Sequence, residues 1–143
     1  MSIRNDITNN IVSVLKDTTD PKPIFVTRET IELEDLGRQQ FPAVVVVTGD
    51  ETRRESTMDA GIGTRNSILN IQCQCYVTGT NIDLQRNDII ERVEEALETD
   101  RTRDGVASDT RLVEVAIDGA IDKRFGLATL TFEVEYYYTR GAA

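Results

Sequence analysis

The run Phe41-Pro42-Ala43-Val44-Val45-Val46-Val47-Thr48-Gly49 decides how this chain folds. Four consecutive valines are too apolar for a strand with one wet face. They predict a strand covered on both faces, inside a sheet. Pro42 stands at the strand's leading edge, where its missing amide donor does little harm. Gly49-Asp50 closes the run with turn chemistry.

Downstream of the valines, residues 50–65 show no hydrophobic period, and they contain Arg53, Arg54, Glu55, Met58 and a Gly61-Ile62-Gly63 step. A polar connection of this length in a compact fold is functional or poorly ordered, and we read it as an arm at the tip of a hairpin. Residues 66–78 form the clearest strand. Leu69, Ile71, Cys73, Cys75 and Val77 alternate with Asn70, Gln72, Gln74 and Tyr76, so one face goes to the core. Thr78-Gly79-Thr80-Asn81 turns the chain, with Asn81 available to cap the helix predicted over 82–99. Ile89, Ile90, Val93 and Leu97 make that helix's apolar stripe, and Glu91, Glu94, Glu95 and Glu98 lie away from it. Residues 100–111 are charged and read as a surface loop turning at Asp104-Gly105. Val113, Val115 and Ile117 then alternate with Glu114, Ala116 and Asp118. After a connection over 119–126, the last strand runs over 127–139. Ala128, Leu130, Phe132, Val134, Tyr136 and Tyr138 share one side, and Thr129, Thr131, Glu133, Glu135 and Tyr137 the other.

Upstream, Ile3, Ile7, Ile11, Val14 and Leu15 form one stripe of a helix over 3–17. Ser2 is its candidate cap, and Pro21 and Pro23 end it. Ile24-Phe25-Val26-Thr27 is a short strand. Residues 28–40 read as a second short strand followed by a helical turn.

The order predicts one α+β domain over residues 1–143. It has a mostly antiparallel sheet of four to five strands, two helices packed on one face, and a long hairpin arm over 50–65. The second face shows Gln72, Gln74, Thr131, Glu133 and Tyr137. It is polar except along the valine strand, so that strip is expected to meet another subunit.

The totals exclude several function classes. The 143 residues carry 25 acidic against 16 basic side chains, a net charge of -9, which repels polyanions and argues against sequence-specific nucleic-acid binding. No apolar run reaches the roughly 20 residues that span a bilayer. The polar start Met1-Ser2-Ile3-Arg4-Asn5-Asp6 has no signal-peptide core, so synthesis in a cytosol is expected.

There is no histidine, hence no imidazole base or metal ligand. Cys73 and Cys75, two apart on one strand face, cannot bridge and read as buried thiols. Asp100, Asp104 and Asp109 lack the glycine and terminal glutamate of a calcium loop. Gly61-Ile62-Gly63 lacks the lysine and the strand-to-helix setting of a phosphate cradle. No catalytic, cofactor or metal site is expected. Arg53, Arg54 and Arg65 form a basic spot in an acidic chain, either a solvated loop or partners for a neighbouring subunit's carboxylates. Tyr137 faces outward, toward either a cross-strand neighbour or a subunit.

These elements together resemble the tail terminator, or tail completion, proteins of tailed bacteriophages. The resemblance rests on the N-terminal amphipathic helix and the Pro42-to-Gly49 strand with an acidic residue soon after. The long arm, the alternating strand, a helix ending Glu95-Ala96-Leu97-Glu98-Thr99-Asp100 and a closing hairpin through Leu130 and Tyr138 complete it. The resemblance implies a hexameric ring at the head-proximal end of a tail tube, in the virion. Such a ring ends tube polymerisation and joins tail to head. Its partners would be further copies of this chain, the tail tube protein and a neck or head-completion protein. DNA would pass through its lumen without specific binding. It implies no catalytic residues. Arg53, Arg54, Glu55, Met58, Ile62, Arg65 and Tyr137 are then the candidate subunit-interface residues. A neck protein or another ring-forming tail protein shares the same logic, and a small monomeric or dimeric binding domain is the alternative of another class.

Overall fold

The valine run lies one strand in from the edge of a five-stranded sheet. The computed structural model describes residues 3–17, 25–28, 42–55, 64–78, 81–103, 105–122 and 125–139. Helix α1 (Ile3–Lys16) leads into strand β1 (Phe25–Thr27). Strands β2 (Ala43–Glu55) and β3 (Thr64–Thr78) follow, then helix α2 (Ile82–Thr99) and strands β4 (Asp109–Asp122) and β5 (Phe125–Thr139). The strand order is β1-β2-β3-β5-β4. β1 runs parallel to β2 and every other pair is antiparallel, so the fold is α+β with a mixed, mostly antiparallel sheet, as the element order predicted. The readings made for Ser2, Pro21, Pro23, all but the first residue of the 28–40 segment, and the arm tip at 56–63 fall outside the described residues.

Both helices pack on one face. Ile7, Ile11 and Leu15 of α1 and Ile89, Val93 and Leu97 of α2 close over a strand layer. That layer runs from Val44 and Val46 through Leu69, Ile71, Cys73 and Cys75 to Leu130, Phe132 and Val134. Strand alternation delivers this set, since every second side chain points the same way. The Thr8 and Thr48 hydroxyls meet at 2.8 Å and pin α1 to β2.

Several local expectations are corrected. Gly49-Asp50 does not end the valine strand. The register passes from Thr48 opposite Ile71 to Glu51 opposite Leu69, leaving two residues against the single Asn70, which is a β-bulge. Gly49 suits it, because a Cβ there would lie 3.0 Å from the Asn70 carbonyl oxygen. The predicted arm over 50–65 therefore shrinks: β2 continues to Glu55 and β3 starts at Thr64, paired up to Glu55 opposite Arg65. β4 likewise starts at Asp109 and runs to Asp122, so the charged loop and the 119–126 connection are both shorter than read. Asn81 precedes α2 in the left-handed region (φ 56) and makes no side-chain cap bond.

The valine strip on the second face is also corrected. Ala43 and Val45 point away from the helices, yet both are buried within one copy of the chain, and only Val47 is half-buried. Ala43 is flanked in the sheet by Phe25 and Tyr76, and Val45 by Thr27 and Gln74. The Tyr76 hydroxyl donates to Gln74 Oε1 at 3.3 Å along that flank. The valines need no second subunit to cover them.

Candidate functional site

A run of exposed apolar side chains lies at the other end of the sheet, on β4. Among the described residues β4 is an edge strand, paired on one side only, with β5. Its register slips between Leu112 and Glu114, so Val113 is the extra residue of a bulge. Thr110 and Leu112 stand opposite Val134 and Phe132 on the helix face and are buried or half-buried. Beyond the bulge, Val115 opposite Leu130 and Ile117 opposite Ala128 occupy the same face. There the cover stops. Val113, Val115 and Ile117 are 49%, 41% and 49% exposed. α2 lies over β3 and β5 and touches β4 only in part, and α1 sits at the opposite end of the sheet on β1 and β2.

Three β-branched apolar side chains on one edge strand are unlike scattered surface hydrophobes. No strand among the described residues pairs with its outer side, and an apolar stripe on such an edge invites another strand. A second irregularity lies between Asp118 and Asp122, so the regular part of the edge is Glu114 to Asp118.

The wet face of the β4–β5 end is an ion-pair ladder. Arg101 Nε meets Asp109 at 2.7 Å, and Arg111 reaches Asp109 at 3.4 Å and Glu133 at 3.6 Å. The Tyr137 hydroxyl donates to Glu135 Oε1 at 3.2 Å, and its ring stays 50% exposed. Tyr137 thus makes a contact within its own strand and still offers a free ring surface.

The candidate arginines do not form one cluster in the sheet. Arg53 is opposite Ser67, Arg54 opposite Asn66, and Arg65 opposite Glu55. Neighbouring strand positions alternate faces, so positions 53 and 54 lie on opposite sides. Arg53 pairs with Glu51 two residues earlier. The side chains of Arg54, Glu55 and Arg65, and the whole of Met58 and Ile62, lie outside the described residues.

Where the arm leaves the core, Glu51 is held by two donors: Arg53 Nε and the Tyr136 hydroxyl, the latter at 2.5 Å. Burial pushes the Glu51 carboxyl up, but these hydrogen bonds and the Arg53 charge outweigh it and hold it below the ordinary value. The phenol responds in the opposite direction, raised by burial and by Glu51.

A groove of about 430 Å³ runs beside α2, lined by Pro42, Val77 and Ile89 with Asp88, Glu91 and Arg92. It brings together no nucleophile and base. Among the described residues no three His, Cys, Asp or Glu side chains are grouped to hold a metal ion. Among them also, no helix is long and apolar enough to cross a membrane.

Sequence reading identified Val113, Val115 and Ile117 as apolar and alternating, and assigned them neither to the core nor to the surface. Their exposure follows from β4's place at the sheet edge, which no local pattern encodes. Compared with known proteins, the chain matches no family model and no curated relative.

Proposed function

We propose that this chain is a non-catalytic structural subunit that assembles with its own copies into a closed ring of the phage tail-terminator kind. The ring caps the head-proximal end of a tail tube, with tube protein on one side and a neck or head-completion protein on the other. The observation that carries the reading is the exposed Val113, Val115 and Ile117 stripe on a strand at the edge of the sheet among the described residues. A chain this acidic and polar has little reason to keep such a strip in water unless assembly covers it. A ring that closes needs two different patches on each subunit, one to give and one to receive. The β2–β3 arm, with Arg54, Glu55, Met58, Ile62 and Arg65, supplies contacts to the next copy or to the tube, and Tyr137 adds an exposed ring at its base. The net charge of -9 suits a lumen through which DNA passes without sticking.

Light scattering on the purified chain tests the reading. The expected mass is six times the 16.0 kDa of one chain, alone or once tail tube protein is added. A single-chain mass under both conditions overturns it.

A further inference from the structure

The geometry points to head-to-tail sheet continuation, in which the β4 edge of one copy pairs with the β1 edge of the next. This rests on the ring reading and names the surface that builds the ring. Three independent features of the fold agree on it.

The first is direction. β1 runs with β2, and each step from β2 through β3 and β5 to β4 reverses the strand. The two outer strands of the sheet therefore run oppositely. Copies related by rotation about an axis along the strands bring β4 against β1 in antiparallel pairing, the geometry with perpendicular hydrogen bonds. The lengths also suit. The regular part of β4, Glu114 to Asp118, lies between two irregularities and offers one short segment, and β1 is itself only Phe25 to Thr27.

The second is cover. The helix face of β4 is bare at Val115 and Ile117 because α2 stops short of it. In the neighbour, α1 lies over β1 and β2. Continuing the sheet carries that α1 to the junction, on the same side of the sheet as the bare stripe. The helix missing above β4 is then supplied by the next copy.

The third is charge. Residues 82–122, which build α2 and β4, hold twelve acidic and five basic side chains, a net of -7. Residues 1–28, which build α1 and β1, hold three acidic and four basic side chains, a net of +1. The α2–β4 segment is thus far more acidic than the α1–β1 segment. A two-fold contact of β4 on β4 would set two acidic ends together, whereas head-to-tail packing sets the acidic end against the end bearing Arg4, Lys16 and Arg28.

Cysteine pairing tests this. Thr27 and Ala116 point to the same, helix-free face of the sheet, opposite Val45 and Thr129. Cys73 and Cys75 are buried and serve as silent controls. Thr27→Cys and Ala116→Cys chains, mixed and mildly oxidised, are expected to give a disulfide-linked dimer, with neither variant linking to itself. Glu114→Cys replaces Ala116→Cys to sample the neighbouring register and covers the case of a variant that folds poorly. Self-linking of Ala116→Cys overturns the proposal in favour of a two-fold β4 contact. A multimeric mass with no link in any mixture overturns the edge pairing while leaving the ring reading intact. A single-chain mass with and without tube protein overturns both.

Discussion

The Tyr136 hydroxyl donates a 2.5 Å hydrogen bond to Glu51 Oε1, tying β5 to β2 across the intervening β3. Glu51 reaches this position because the Gly49-Asp50 bulge shifts the register, placing it opposite Leu69 on the helix face. A carboxylate at the end of an apolar layer is tolerable only with donors, and Tyr136 and Arg53 provide them. The bond closes the core at the point where the hairpin arm leaves it.

That bond predicts a specific acid sensitivity. The folded Glu51 carboxyl titrates below the 4.5 of a free glutamate, so it binds a proton less readily than in the unfolded chain. Its stabilisation is complete above about pH 4.5 and is lost as pH falls through the lower folded value. Tyr136→Phe is expected to cost about 2 kcal/mol at pH 7, the loss of a hydrogen bond to a charged group. In urea titrations the gap between wild type and variant should narrow steadily below pH 4.5. A gap independent of pH would show that Glu51 does not contribute through this bond.

Gly126 allows β5 to pass under the start of α2. A methyl group there would overlap Ile82 Cγ2 and lie 3.0 Å from Val77 Cγ2. Gly126→Ala is therefore expected to destabilise by about 2 kcal/mol, the usual cost of overpacking. Adding Ile82→Ala should recover part of that loss, with a favourable coupling of about 1 kcal/mol in a double-mutant cycle. Strict additivity of the two changes would exclude the overlap as the cause.

How much of this was legible before the structure depends on how local each signal is. The α2 boundaries followed from the Ile89, Val93 and Leu97 stripe and the preceding turn residues, all within one short window. The β3 alternation through Leu69, Cys73 and Val77 was equally local. Gly49-Asp50 misled because the same residues serve a turn and a bulge, and only the partner strand distinguishes them. Burial of Val45 depends on the strands beside it, and exposure of Ile117 on the lack of one, so neither could be read from its own neighbourhood. Arg103 looked like one charge in a charged loop, and its burial appears only once α2 and β4 are placed.

Arg103 is fully buried at the C-terminal end of α2, in the left-handed region (φ 50). Its Nη2 donates to the carbonyl oxygens of Leu97, at 2.5 Å, and Asp100, groups a helix end leaves without partners. The cation also complements the negative end of the helix dipole. Arg103→Ala is expected to cost about 3 kcal/mol by removing both of these bonds and opening a cavity. Thermal unfolding checks this. A loss within about 0.5 kcal/mol, the range of an ordinary surface change, would show that the cap is dispensable.

The buried thiols give a direct probe of the core. Burial pushes Cys73 up to about 12, only partly countered by the nearby Arg103 charge, and Cys75 lies well above its usual range. Reactivity requires thiolate and access, and both are withheld. A colorimetric disulfide reagent at pH 8 should find no reactive thiol in the folded protein and two per chain in denaturant. Rapid labelling without denaturant would place Cys73 and Cys75 outside the core.

The exposed stripe gives the prediction on which function turns. Val115→Thr with Ile117→Thr keeps both side chains β-branched, so strand preference is retained while the apolar surface is lost. Both positions are already half open to solvent in one copy of the chain. The folding stability of a single copy should therefore change by no more than about 0.5 kcal/mol. Assembly should respond very differently, because the same side chains would be covered only between copies. The scattering mass is expected to fall toward the 16.0 kDa of one chain, with unchanged circular dichroism. Retention of the full multimeric mass by this double variant would remove β4 from the interface and return attention to the arm. Loss of fold along with mass would mean that Val115 and Ile117 stabilise the single subunit and are no assembly surface.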